Sequence, residues 1–303
     1  MRTNRAQVVV AALALAVLVA GCSKDAKSGG DSDIVGEPVL SQIGADPADG
    51  SRVAHPLDGF SVGAEESALI FRAMGQATRT CMAAKGFDYD PGPTPTPPPP
   101  TPIDTSLLGL LSLSAAQQTG YHRPPRPDGN GTSGTGNTPG QGPEYQKALD
   151  GESGTKAGVA GRRADRGCTG EFDRQLRAEG IKDTASDLAG TLRGKAYDHA
   201  AVDSRVRASL ANWQSCMAKL GYKYANPVEA SSAAWPEQVS QEERDTAVAD
   251  MNCKEQVKLL ATWNAVLTAY QQVYISKNEQ ALRADEEISQ QRLTAAKKLL
   301  GQA

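Results

Sequence analysis

The sequence has few aromatic side chains and few residues of the types that catalysis and metal binding use. Phenylalanine, tryptophan and tyrosine make up 5% of the 303 residues, so we expect a thin hydrophobic core. Only three histidines are present, and they lie far apart in the chain. We find no HExxH or CxxC motif, which leaves a zinc site without support. We therefore predict that the protein is not an enzyme and has no cofactor and no bound metal.

The chain also lacks a strong excess of charge of either sign. It carries 32 Lys and Arg against 35 Asp and Glu, for a formal net charge of −3. Nucleic-acid-binding proteins usually present a basic surface that neutralises backbone phosphates. A mildly acidic chain is therefore not expected to bind nucleic acid.

The N-terminus has the features of an export signal. Arg2 and Arg5 precede a run of 13 uncharged, apolar residues from Val8 to Ala20. This run is shorter than the roughly 20 residues that a membrane-spanning helix needs, but it suits a signal peptide. It ends in Leu-Val-Ala-Gly-Cys22, which resembles a bacterial lipobox. The resemblance implies that residues 1–21 are a lipoprotein signal peptide and that Cys22 is acylated, on the outer face of the cytoplasmic membrane.

Two segments have the composition of linkers. Residues 22–60 begin with a polar run of Ser, Lys, Gly and Asp, and we predict a flexible tether there. Residues 91–145 are rich in Pro and Gly, with eight prolines in residues 91–102, and we predict a disordered insertion. Within it, the apolar patch 107–113 is expected to dock as a turn of helix. The proline run has three open interpretations: a spacer, a ligand for an aromatic-lined module, and a site of O-linked glycosylation.

The cysteines indicate disulfides and an internal repeat. With Cys22 assigned to the lipid, four cysteines remain, and an even number in an exported chain predicts disulfides. Residues 81–89 and 216–224 share the pattern Cys-Met-Ala-x-x-Gly-aromatic-x-Tyr, and one further cysteine follows each copy. We predict two helical hairpins with sequential pairing, while pairing between the copies remains open. The predicted pairs are Cys81–Cys168 and Cys216–Cys253.

The repeated motif also predicts how two helices end. If Gly86 and Gly221 take the left-handed conformation after a helix, a Schellman motif brings Met82 against Phe87 and Met217 against Tyr222. A methionine-lined binding surface is the alternative interpretation of the same residues.

The remaining patterns are helical. Residues 61–90 contain the first helix of hairpin one, and residues 146–303 complete that hairpin and contain hairpin two. Ser240 and Glu243 predict a capping box, and no Gly or Pro interrupts the chain from there to Leu300. We expect one long C-terminal helix, packed to about residue 275 and solvated beyond it. The predicted fold class is all-α, a small disulfide-stapled bundle with this long helix and long disordered segments.

The paired Cys-Met-x-x-x-Gly-aromatic motifs, the lipobox and the Pro-Leu-Asp sequence at residues 56–58 resemble a group of actinobacterial, Streptomyces-like secreted or lipid-anchored proteins. The resemblance covers residues 56–89 and 165–275. The resemblance implies an extracytoplasmic location, and it identifies no catalytic residue in this chain.

The leading functional hypothesis is a non-catalytic protein-interaction module of the cell envelope. We expect an envelope protein to bind the C-terminal helix, on its solvated part beyond residue 276. A solute-binding or sensing lipoprotein associated with a transporter is the second hypothesis. An envelope enzyme of unrecognised type is the third.

Overall fold

The structure, a computed structural model, describes most of the chain after residue 35. The described residues are 36–47, 49, 53–94, 103–104, 106–122, 142–151, 166–182 and 187–302. The predicted signal peptide and Cys22 lie outside them.

The described residues form an all-α fold, as predicted, with one small hairpin of strands. The strands β1 (Ile103–Asp104) and β2 (Gly109–Leu110) pair antiparallel, with Ile103 opposite Leu110. The helices are α1 (Ala64–Ala84), α2 (Leu113–Thr119), α3 (Pro143–Asp150), α4 (Glu171–Ala178), α5 (Leu188–Val202), α6 (Ser204–Lys219), α7 (Pro227–Ser231), α8 (Gln241–Gln256) and α9 (Leu259–Leu299). Two 3-10 turns, Pro56–Phe60 and Cys168–Gly170, precede α1 and α4.

The helix α9 is the axis of the fold, because α1, α5, α6 and the first 3-10 turn all pack along it. Its first half buries a continuous apolar face against these elements. This face consists of Leu259, Leu260, Trp263, Val266, Leu267, Tyr270 and Tyr274.

The part of α9 beyond residue 275 is packed, so the predicted solvated extension is wrong. Leu282, Leu293 and Ala296 are buried, and Ala296 belongs to a core cluster with residues of α1 and α4. Arg292 lies in the same part of α9, and its guanidinium binds the buried Asp173 carboxylate of α4 at 3.0 Å. A polar position on α9 thus packs in the core because α4 supplies its counter-charge.

The predicted continuous helix is broken between α8 and α9. Lys258 takes the left-handed conformation, with φ 53° and ψ 40°. The Asp46 carboxylate accepts a hydrogen bond from the Ala261 N–H at 2.7 Å, in the first turn of α9. The Ser209 hydroxyl donates to the Val257 carbonyl at 3.0 Å. Tertiary partners therefore stabilise this break, which has neither Gly nor Pro.

The prediction of a flexible tether over residues 22–60 is wrong for its second part, because those residues pack on the helices. We call residues 36–47 and Asp49 the strap. The Glu37 carboxylate accepts hydrogen bonds from the N–H and hydroxyl of Ser204, both at 2.7 Å, at the start of α6. Farther on, Leu57 is fully buried and its N–H donates to Gln271 at 2.9 Å. Carboxylates favour helix N-termini because the first N–H groups lack partners within the helix.

The predicted disordered insertion contains folded elements. We call residues 103–104 and 106–122 the docked insertion. It contains β1, β2, α2 and the residues between and directly after them. It packs on α8, and Leu110 and Ala116 are fully buried. The apolar patch 107–113 docks as expected, but it is not a helical turn: it contains β2, and α2 begins only at its last residue, Leu113. The prediction therefore failed where apolar residues interrupt the Pro- and Gly-rich composition.

Shortening a buried leucine of α9 tests the packing of the helix beyond residue 275. We expect Leu282→Ala to lower the free energy of unfolding by about 2–5 kcal/mol, because the fully buried side chain leaves a cavity. Leu299→Ala is the matched control, since that leucine is 37% exposed, and it should change stability by less than about 0.5 kcal/mol. Urea unfolding followed by circular dichroism measures both. Equal effects of the two substitutions would contradict the packed helix.

Candidate functional site

The four cysteines form the two predicted sequential disulfides. Cys81 pairs with Cys168 and Cys216 pairs with Cys253, with Cα–Cα distances of 5.4 and 5.7 Å. The second bond joins α6 to α8, as expected for a hairpin. The first bond joins α1 to the 3-10 turn before α4. Of the two predicted helical hairpins, only the second therefore has its disulfide between two α-helices.

Both copies of the repeated motif end a helix in the predicted way. Gly86 and Gly221 have φ of 80° and 92°. The Phe87 N–H donates to the Met82 carbonyl, and the Tyr222 N–H donates to the Met217 carbonyl, each at 3.0 Å. These bonds define Schellman motifs. Because both methionines are fully buried, they cannot form the methionine-lined surface that was the alternative.

A buried network of charged and polar groups connects α6, α8 and the docked insertion. Asp250 and Lys254 are fully buried, and the Lys254 Nζ lies 2.9 Å from the Asp250 Oδ2. The Lys254 Nζ also donates to the Leu110 carbonyl at 2.6 Å. The Trp213 Nε1–H donates to the Asp250 Oδ1 at 2.8 Å, and the Tyr121 hydroxyl approaches Oδ2 at 3.4 Å.

Burial controls the electrostatics of this network. Burial raises the pKa of Asp250, and the nearby Lys254 ammonium opposes that rise. Burial likewise lowers the pKa of Lys254 against the attraction of Asp250. Both shifts reflect the cost of removing charges from water, which the surrounding hydrogen bonds offset. The sequence could not reveal this pair, since Asp and Lys four residues apart usually lie on a solvated helix face.

A second buried carboxylate binds the end of the docked insertion. Glu243 is fully buried, and its Oε1 accepts the Tyr121 N–H and contacts the His122 Nδ1, both at 2.8 Å. The predicted capping box is therefore only half formed. The Ser240 hydroxyl accepts the Glu243 N–H at 3.1 Å, while the Glu243 side chain turns away toward the insertion.

Two open grooves flank the break between α8 and α9. The strap groove, of about 620 Å³, lies between the strap, the docked insertion and the break. Its lining consists of Gly44, Ala45, Asp46, Pro47, Asp49, Leu111, Leu113, Met251, Glu255, Lys258 and Leu260. The disulfide groove, of about 510 Å³, lies between α6 and α8. Its lining consists of Asn212, Ser215, Cys216, Lys219, Leu220, Asn252, Cys253, Gln256 and Val257.

Residues 59–63 have the GxSxG spacing of a serine nucleophile, a motif that the prediction of a non-enzymatic protein did not take into account. A nucleophile elbow is a strained turn between a strand and a helix. Ser61 instead follows a 3-10 turn in extended backbone, with φ −125° and ψ 145°. Its hydroxyl accepts a hydrogen bond from the Arg193 guanidinium at 2.7 Å. Ser61 is therefore a linker residue that is hydrogen-bonded to α5, and it does not lie in a nucleophile elbow.

The described ranges contain neither a metal-binding cluster nor a membrane span. Within them, His, Cys, Asp and Glu form no group of three or more that could hold a metal ion. No helix in the part of the chain that the structure describes is both long and apolar enough to cross a membrane.

Comparison with known proteins adds no relative. No family model, curated protein or solved structure matches the chain. The resemblance to actinobacterial lipoproteins therefore stays a prediction from the motifs.

Removing the charge of Asp250 tests the buried network. We expect Asp250→Asn to lower the free energy of unfolding by about 3–5 kcal/mol, because Lys254 stays buried without a counter-charge. The double variant Asp250→Leu, Lys254→Met removes both charges and should lose less. Asp245→Asn, at an exposed position of α8, is the control and should stay within about 0.5 kcal/mol. Urea titrations compare the variants with the unmodified protein, and a double variant less stable than the single one would refute a charge-based role.

Proposed function

We propose that the protein is a lipid-anchored, non-catalytic interaction module on the outer face of the cytoplasmic membrane. The lipobox at Cys22 supports the anchor, and the strap groove supports the interaction. The strap is the first described segment after Cys22, and its residues 44–47 and Asp49 line this groove.

The anchor rests on one cysteine, which can be tested directly. We expect Cys22→Ala to abolish incorporation of labelled palmitate and to move the protein out of the membrane fraction, because the thiol is the acyl acceptor. Ala26→Ser, four residues beyond Cys22, is the matched control and should leave both unchanged. Palmitate labelling of a Cys22→Ala protein would contradict lipidation at this residue.

The strap groove is the observation that carries the interaction. Leu111, Leu113, Met251 and Leu260 form apolar walls, of which the two leucines of the docked insertion are half-buried. Glu255 and Lys258 are exposed at its rim. Apolar contacts inside a charged border are typical of surfaces that bind a protein segment.

The charges of the groove indicate what kind of segment it binds. Three carboxylates, Asp46, Asp49 and Glu255, line it together with one cation, Lys258. Asp46 and Asp49 already accept hydrogen bonds from helix N-termini, whereas Glu255 is exposed and can face a partner. We therefore propose that the partner is an envelope protein that inserts an extended segment with apolar and basic side chains.

This proposal moves the expected partner site along the C-terminal helix. The sequence placed it beyond residue 276, where the helix proves to be packed against α1 and α4. Leu260, in the first turn of α9, borders the strap groove instead. The partner would thus still contact the C-terminal helix, but at its opposite end.

Photocrosslinking in living cells tests the site. A photoreactive residue replaces Ala45 at the groove, Gln280 on the exposed face of α9, or Lys223 at a control position outside both. We expect one protein adduct from position 45 and none from the other two, read by mass spectrometry. Adducts from position 280 alone would favour the α9 face, and the absence of any protein adduct would contradict the interaction module.

A further inference from the structure

We propose that the Cys216–Cys253 disulfide is a site of thiol–disulfide exchange with a dithiol partner, while Cys81–Cys168 is a permanent crosslink. This inference does not depend on the strap groove or on the lipid anchor.

The two disulfides differ in their surroundings. Cys81 and Cys168 pack in an apolar cluster with Met82, Tyr145 and Leu149. Cys216 and Cys253 instead line the open disulfide groove, whose other residues are mainly polar. Each disulfide joins a partly exposed cysteine, Cys81 or Cys216, to a buried one, Cys168 or Cys253, so exposure alone does not separate the two bonds. The difference is that Cys81 packs against the apolar cluster, whereas Cys216 lines an open groove. The groove therefore gives an attacking thiolate an approach to the Cys216 end of the bond.

The groove also holds groups suited to the exchange. Lys219 lies one helical turn after Cys216 and lines the same groove, and a nearby ammonium favours the thiolate form of a cysteine. Leu220 is 57% exposed at the edge of the groove, where an apolar side chain offers a contact to a protein that carries the attacking dithiol.

The pair α6–α8 does not depend on the disulfide alone. The Trp213 indole binds the Asp250 carboxylate at 2.8 Å, and the Ser209 hydroxyl binds the Val257 carbonyl at 3.0 Å. Both bonds run from α6 to α8 or its end and survive reduction. The reduced protein is therefore expected to keep its helices, which a reversible exchange requires.

The chemical steps balance with a dithiol as the reductant. Its first thiolate attacks the Cys216 Sγ, and the sulfur–sulfur bond breaks with its electron pair on the Cys253 Sγ, which takes up a proton. The second thiolate of the partner then attacks the partner's own sulfur in the mixed disulfide, which releases Cys216 as a thiolate beside Lys219. The protein gains two electrons, and the partner leaves as a disulfide; the reverse sequence restores the bond.

Differential alkylation of the intact, folded protein tests the proposal. The folded protein is treated with dithiothreitol, and samples taken at intervals are quenched with N-ethylmaleimide in denaturant, so that buried thiols are also alkylated, and mapped by peptide mass. We expect Cys216 and Cys253 to be labelled at least about tenfold faster than Cys81 and Cys168, with unchanged helical circular dichroism. The proposal is overturned if Cys81–Cys168 opens first, if all four cysteines are labelled together, or if labelling requires loss of helix.

Two variants test whether Lys219 and Leu220 promote the exchange, or whether the disulfide is reduced only because it is accessible. Lys219→Gln should slow the opening about two- to fivefold, because the thiolate loses its cation, whereas Lys223→Gln outside the groove should not. Leu220→Ala should slow reduction by a thioredoxin-type protein dithiol and leave reduction by dithiothreitol unchanged. Rates equal to those of the unmodified protein in both assays would leave only accidental exposure and would refute the exchange site.

Discussion

The buried carboxylate of Asp250 is the interaction on which the packing of α6, α8 and the docked insertion depends. It accepts hydrogen bonds from Trp213 of α6 and from Lys254 one turn farther along α8, and Lys254 in turn binds the Leu110 carbonyl. A buried charge that loses its partners costs several kcal/mol, so none of these elements can leave without destabilising the others. The docked insertion is thus part of the core, although it interrupts the loop between Cys81 and Cys168.

The strap uses the same physical principle at the surface. Glu37, Asp46 and Asp49 place carboxylates at the first turns of α6, α9 and α2. Each helix start has N–H groups without partners and a partial positive charge, and the carboxylates satisfy both. No residue of the strap is buried, so these bonds carry most of its attachment. An extended segment with little apolar surface can therefore form one wall of a groove.

The sequence was sufficient to predict features that depend on residues close together in the chain. The helix ends at Gly86 and Gly221 followed from a local motif, and the same bonds recur at Gly180 and Gly301, which lie outside the repeat. The disulfide pairing followed from the repeat. Contacts between distant segments were not predictable. The sequence near Lys258 contains no signal of a helix break. The break is stabilised by Asp46, which lies about 210 residues earlier in the chain.

The two grooves share the break between α8 and α9, and this gives the separate proposals a physical connection. Val257 lines the disulfide groove and Lys258 lines the strap groove. The Ser209 hydroxyl binds the Val257 carbonyl, so α6 contacts the break as well as the disulfide. In the proposed exchange, opening the disulfide removes the covalent link between α6 and α8, and the Ser209–Val257 bond joins α6 to the break. Because coupling between two sites is reciprocal, a segment bound in the strap groove would then alter how readily the disulfide opens.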